Sequence, residues 1–211
     1  EFNIPVRPVS RKEALENLAF AIEYVKQATK KGGYSIWRGV LMGADHYASA
    51  LIGNTEKHLK LAFQRPDLQF FNREHPLYPL SLKPAVSDRL HSMVVACTGA
   101  GKTDFLFRRC KGRVFYTLPF RASSNAMFKR LALDLAATNP QLDIRVLHAS
   151  SSLVKRGKEE EETVLQSLFG SAIKVLTPHQ LAAIALGIKG YESVLLDIRG
   201  FDVILDEIHS Y

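Results

Sequence analysis

The sequence is poor in cysteine and tryptophan and has no long apolar run, and these shortages exclude whole classes of protein. Only two of its 211 residues are cysteine, Cys97 and Cys110. Two thiols cannot build a disulfide framework, so a reducing, cytoplasmic compartment is expected. No uncharged apolar stretch approaches the roughly 20 residues of a transmembrane helix, so no membrane is expected among the partners. No basic-then-apolar leader is visible, hence no secretory signal is expected. Internal repeats and single-sign tails are missing too. What remains is an ordinary globular composition, 46% hydrophobic and 23% charged, enough for one full domain and a smaller unit. Lys and Arg number 28 against 21 Asp and Glu, for a net charge of +7. This surplus is spread along the chain, and the pI is near 9.4. Such a balance suits a polyanion partner such as nucleic acid, and suits a solvated basic surface equally well.

The amino-terminal third reads as helical. Ser10 and Glu13 match a capping box, and Leu15, Leu18, Ala19, Ile22 and Val25 form an apolar stripe at helical spacing. Lys30, Lys31, Gly32 and Gly33 then supply the cations and glycines of a helix end. A second helix carries Trp37, Val40, Leu41, Ala44, Ala48 and Leu51 on one side, with Trp37 and Tyr47 expected in the core. Four of the nine prolines, Pro66, Pro76, Pro79 and Pro84, fall between Leu61 and Ala85 and mark a connector. From Ser92 onward short apolar strands alternate with helical patterns. The strands are expected at Met93–Ala96, Val114–Leu118, Ile144–Leu147, Ile173–Leu176 and Phe201–Leu205, with helices notably at Asn125–Ala137 and Gln180–Leu186. That alternation predicts an α/β unit with a mostly parallel sheet. Lys155–Glu162 reads as a solvated loop and acidic helix start.

The chemistry concentrates at two places. Ala96-Cys97-Thr98-Gly99-Ala100-Gly101-Lys102-Thr103 follows one expected strand and precedes a helical segment. A phosphate chain needs several amide N–H groups turned inward, and Gly99 and Gly101 permit the tight backbone that requires. Thr98 to Thr103 are the candidate ATP-binding residues. Within them, Lys102 would reach the terminal phosphates and Thr103 would offer its hydroxyl to magnesium. The strict pattern has glycine where Ala96 stands, so the match is to its tail. The second place is Asp206-Glu207-Ile208-His209, at the end of the last expected strand. Asp206 there can face the phosphate-bound magnesium, and Glu207 can polarise the attacking water as general base.

Other side chains divide between structural and functional readings. Arg108, Arg109, Lys111 and Arg113 form the densest basic cluster, open to a solvated helix end or a DNA contact. His148 reads as a structural or loop histidine, and Cys97 as an ordinary loop side chain.

The motifs carry a resemblance. A-C-T-G-A-G-K-T with D-E-I-H looks like motifs I and II of superfamily 2 helicases. D-E-I-H-S-Y more narrowly resembles the CRISPR-associated nuclease-helicases of type I interference systems. Leu118-Pro119-Phe120-Arg121-Ala122-Ser123 is similar to motif Ia and Thr177-Pro178-His179-Gln180 to motif Ib. Gly43-Ala44-Asp45-His46-Tyr47-Ala48-Ser49 resembles the last motif of the HD-type nuclease domain that precedes the helicase in that family. The resemblance spans nearly the whole chain.

The resemblance implies ATP-driven translocation on single-stranded DNA, with metal-dependent cutting by the HD domain after recruitment by an RNA-guided CRISPR surveillance complex. It implies ATP and Mg2+ as cofactors, with a further divalent metal in the HD site. Lys102 and Glu207 would be catalytic, Thr103 and Asp206 magnesium contacts, and Arg121, Ser123 and Thr177 DNA-backbone contacts. His209 would couple the two sites. Asp45 matches the HD site's final carboxylate, although the family's histidines and His-Asp pair do not occur ahead of it. As an isolated residue it equally reads as a polar position on a helix. Residues 1–60 are thus expected to be the last helices of an all-α HD domain, residues 61–91 a linker and pre-motif segment, and residues 92–211 a first, incomplete RecA-like P-loop domain. The arginines completing the ATP site would come from a second such domain, so the chain alone is expected to be inactive. Two rival readings stay open: another superfamily 2 RNA or DNA translocase, and a non-catalytic nucleotide-binding module.

Overall fold

In the computed structural model, which describes residues 7–50, 56, 59–69, 78–147, 170–186 and 191–211, local capping chemistry sets the first helix. Helix α1 runs Arg11–Gly32. Ser10 Oγ accepts from the Glu13 amide at 3.2 Å, and Gly33, at φ 76°, closes the helix with its N–H on the Thr29 carbonyl. Only half of the expected capping box forms, because the Glu13 carboxylate turns to pair with Arg7. None of the helix is buried, and the stripe of Leu15, Leu18 and Ile22 lies exposed.

Helix α2, Ile36–Ala50, buries the side opposite to the one its apolar residues predict. Ser35, Gly39, Gly43 and Tyr47 are buried, whereas Trp37, Val40 and Leu41 face outward. Trp37 is 62% exposed, so its expected core position is corrected, while Tyr47 at 8% is in the core as expected. The physical reason is closeness of approach. A Cβ on Gly39 would stand 2.6 Å from Leu196 Cδ1 and 2.8 Å from the Glu192 carbonyl oxygen. A glycine row therefore lets two helix backbones nearly touch, which bulky side chains forbid. Arg38 fixes the crossing with an ion pair to the buried Glu192 at 3.1 Å.

The remaining elements form an α/β unit. Helix α3 spans Lys102–Arg109, strand β1 Arg113–Thr117 and helix α4 Arg121–Asp134. Strand β2 follows at Ile144–Leu147 and β3 at Ile173–Leu176. Helices α5, Pro178–Ala185, and α6, Tyr191–Ile198, precede strand β4 at Phe201–Leu205. The strands line up β2-β3-β1-β4, every neighbouring pair parallel. Residues of β1 and β3 are buried on both faces, as a covered parallel sheet requires. On one face Val114, Tyr116, Val146, Ile173, Val175 and Ile204 pack with Phe107 of α3 and with Leu131 and Leu135 at the end of α4. Leu68, inside the proline-rich connector, joins this core. Asp67 and Asn139 exchange hydrogen bonds at 2.8 and 2.9 Å, so the connector is tied along the α/β unit. Among the described residues no helix is long and apolar enough to cross a membrane.

The opposite face carries charge. Asp197 of α6 binds Arg113 Nη1 at 2.8 Å and Lys174 Nζ, all three side chains almost wholly buried. Burial pulls the Lys174 ammonium below its ordinary range, and the adjacent Asp197 opposes that pull. The Arg113 guanidinium also lies 4.1 Å over the Phe201 ring. The basic cluster is therefore corrected at Arg113, which is a core group.

The expected strand Met93–Ala96 is absent from the sheet. The segment has no regular hydrogen-bonded structure, with Met93 88% and Val95 89% exposed. A strand exists only through a partner's ladder, and among the described residues none lies alongside it. His148 and Lys155–Glu162 lie outside the described residues.

Removal of the Asp197 carboxylate should leave two buried cations without a counterion. Urea unfolding of Asp197→Ala is expected to show a loss of about 3–5 kcal/mol. A loss below about 1 kcal/mol would mean that the cluster is solvated.

Candidate functional site

The sheet's register brings the motifs to one edge. Thr117 stands beside both Leu176 and Leu205, so the chain leaves β1, β3 and β4 at Leu118, Thr177 and Asp206 on the same carboxyl edge. In open parallel sheets that edge is where ligands bind. Alternation decides the face. Tyr116 pairs with Ile204, so Asp206, two residues on, points to the face that α3 covers.

The loop ahead of α3 turns through two glycines. Gly99 has φ 79° and Gly101 φ 88°, a region that side-chain-bearing residues rarely adopt. A Cβ on Gly101 would also meet Ser81 Oγ and Tyr78 Cβ, each at 2.8 Å. The Pro79–Leu82 turn clamps this loop, with the Leu80 amide donating to the Ala100 carbonyl at 2.9 Å. Ser81 Oγ donates to the buried Asp104 at 3.1 Å, and Arg130 reaches the other carboxylate oxygen at 3.2 Å. Lys102 folds back on its own loop, Nζ donating to the Ala96 carbonyl at 2.9 Å and to that of Cys97 at 3.1 Å. Its charge thus sits inside the curl of the loop.

Asp206, just past β4, and Tyr116 of the neighbouring β1 meet through the Tyr116 hydroxyl, which donates to Asp206 Oδ2. Thr103, in the first turn of α3, acts on the same phenol. Burial first, then the adjacent Asp206, push the phenol well above its ordinary range, so it remains a donor. Asp206 Oδ1 accepts from the Glu207 amide at 2.9 Å, and the Asp206 amide donates to the Thr117 carbonyl at 3.1 Å. Glu207 takes φ 55° and ψ 38°, a left-handed conformation costly for a glutamate and characteristic of functional turns. Its exposed carboxylate lies 3.4 Å from His209 Nε2. Tyr211 closes the turn with its hydroxyl 2.9 Å from Thr117 Oγ1.

Thr103 and Asp206 are the residues here that could hold magnesium through hard oxygens. That ion takes one or two protein ligands and fills its octahedron with phosphate oxygens and water. Asp206 and Glu207 stand at the carboxyl edge, and Lys102 and Thr103 open the helix that covers the face to which Asp206 points. Arg121 begins α4 on the same edge and is exposed, Ser123 is partly buried and Thr177 is 5% exposed. Asp45 lies apart on the exposed side of α2, and among the described residues no three His, Cys, Asp or Glu side chains converge as a metal group.

The basic cluster has structural partners that its sequence does not suggest. Arg108 donates to the Leu80 and Lys83 carbonyls, and Arg109 to those of Ala85, Ser87 and Arg89. These guanidinium groups hold an irregular segment whose carbonyls have no ladder. Tyr116 is the site residue that sequence reasoning missed. Its only signal is a polar atom within an apolar strand, which also describes many ordinary core tyrosines. No protein-family model matches the chain, and no curated protein or solved structure matches it either.

The two thiols should react differently. Cys97 is exposed on the loop, whereas burial, then Asp202, pushes the Cys110 thiol up to about 12, with Sγ donating to the Leu106 carbonyl. A raised value keeps Cys110 as unreactive thiol, its thiolate growing only as pH rises further. At about pH 8 a disulfide reagent should label Cys97 in the folded chain and Cys110 only after denaturation. Equal rates for both would contradict the burial of Cys110.

Proposed function

We propose that the chain is the nucleotide-binding lobe of an ATP-driven DNA translocase of the CRISPR nuclease-helicase kind. The observation that carries this reading is Asp206 at the carboxyl edge of a parallel sheet, held by the Tyr116 hydroxyl on the face that α3 covers. A loop with two left-handed glycines and a lysine leads into α3. A RecA-like P-loop domain is the architecture in which those parts act together.

The lobe's own residues divide the work. The loop amides and the start of α3 receive the phosphates. Lys102 exchanges its two main-chain carbonyls for phosphate oxygens, a swap of weak dipoles for full charges. Thr103 and Asp206 hold the magnesium, which neutralises phosphate charge when bound. Glu207 orients and deprotonates the attacking water, and His209, beside its carboxylate, carries the state of that site toward DNA. Exposed Arg121 contacts the DNA backbone with Ser123 and Thr177, positioning the strand without reading bases. Strand translocation, DNA cutting and recruitment by an RNA-guided surveillance complex belong to the longer nuclease-helicase that the motifs resemble. The HD nuclease half, with Asp45 and its divalent metal, rests on the sequence resemblance alone.

Calorimetry tests the phosphate loop. Lys102→Ala should weaken binding of the magnesium–ATP complex at least about tenfold, or roughly 1.4 kcal/mol, and unchanged affinity would falsify the assignment. For the DNA face, single-stranded oligonucleotide binding should weaken as salt rises. Arg121→Ala should reduce the slope of that dependence by about one phosphate. Salt-insensitive binding would remove Arg121 from the interface.

A further inference from the structure

Tyr116 lies between the two motifs and belongs to neither. Its side chain is buried in the core formed by Val114, Leu131 and Val146, and its ring stacks on Phe107 with centroids 5.3 Å apart and planes 15° from parallel. Phenylalanine would satisfy every one of those contacts. A hydroxyl in such surroundings costs free energy unless it is hydrogen-bonded. Here the partner is Asp206.

The consequences for Asp206 are geometric. One carboxylate oxygen is held by the phenol and the other by the Glu207 amide, so the plane of the carboxylate is fixed from both sides. The stack of Tyr116 on Phe107 of α3 keeps the hydroxyl in register with that helix.

We propose that Tyr116 is a positioning residue whose hydroxyl presets the Asp206 carboxylate for the divalent cation of a magnesium nucleotide. It acts through Asp206 and does not itself touch the nucleotide. The proposal rests on Gly99–Thr103 being a phosphate loop. Residues that orient metal ligands typically contribute ten- to hundredfold in metal affinity, because the ligands otherwise lose freedom when the ion binds.

The test uses the 211-residue chain and a fluorescent ATP analogue, first in EDTA and then over a magnesium titration. The proteins are wild type, Tyr116→Phe, Asp206→Asn and the double variant. Tyr116→Phe should bind the analogue in EDTA like wild type, yet need about tenfold more magnesium for half-maximal enhancement. In the Asp206→Asn background, Tyr116→Phe should change nothing further, since the hydroxyl acts through that carboxylate. An unchanged magnesium midpoint in Tyr116→Phe, or losses that add in the double variant, would overturn the proposal. So would loss of EDTA binding in Tyr116→Phe, which marks a purely structural role. If wild type fails to bind the analogue with or without magnesium, the phosphate-loop reading itself falls.

Discussion

The buried carboxylate of Asp197, clasped between Arg113 and Lys174, is the constraint on which the rest of the α/β unit depends. Each of the three charges would be costly alone in a dry interior. Together they join the first residue of β1, the second residue of β3 and the last turn of α6. The Gly170 amide donates to the same carboxylate, so the turn entering β3 is held as well. With these ends fixed, the parallel ladders set every later residue, and Leu118, Thr177 and Asp206 come out at the other edge in line. The ionic knot on one face thus aligns the polar site beyond the opposite end of the strands.

At that edge the elements are linked by short polar contacts. The loop of Gly99 to Thr103 is clamped from outside by the Pro79–Leu82 turn. Lys102 rests on the main-chain carbonyls of Ala96 and Cys97, neutral partners for its charge. Glu207 is held in a left-handed turn beside His209. The arrangement pairs a carboxylate fixed from both sides at Asp206 with a lysine and a glutamate on weaker partners.

Much of this was legible in the sequence because it is local. Strands Ile144–Leu147, Ile173–Leu176 and Phe201–Leu205 follow from short β-branched runs bounded by turn residues. Ser10 and Gly33 announce the ends of α1, and the glycines of the loop announce their own positive φ. What failed to read correctly depended on partners. Met93–Ala96 has the composition of a strand and no neighbouring ladder among the described residues. Arg108 and Arg109 look like surface charge and instead bind carbonyls of the connector. The apolar side of α2 looks like its core side, yet the glycine side packs.

The sequence by itself determined the alternation of strands and helices, the turn chemistry of the loop and the identity of the candidate phosphate, metal and base groups, since each depends on near neighbours along the chain. Only the tertiary structure decided that Tyr116 holds Asp206, that Asp197 serves two cations and that Gly39 seats α2 on α6. Those contacts link residues far apart in sequence, and they are selected by strand register, by the face on which each side chain falls and by how closely two backbones can approach.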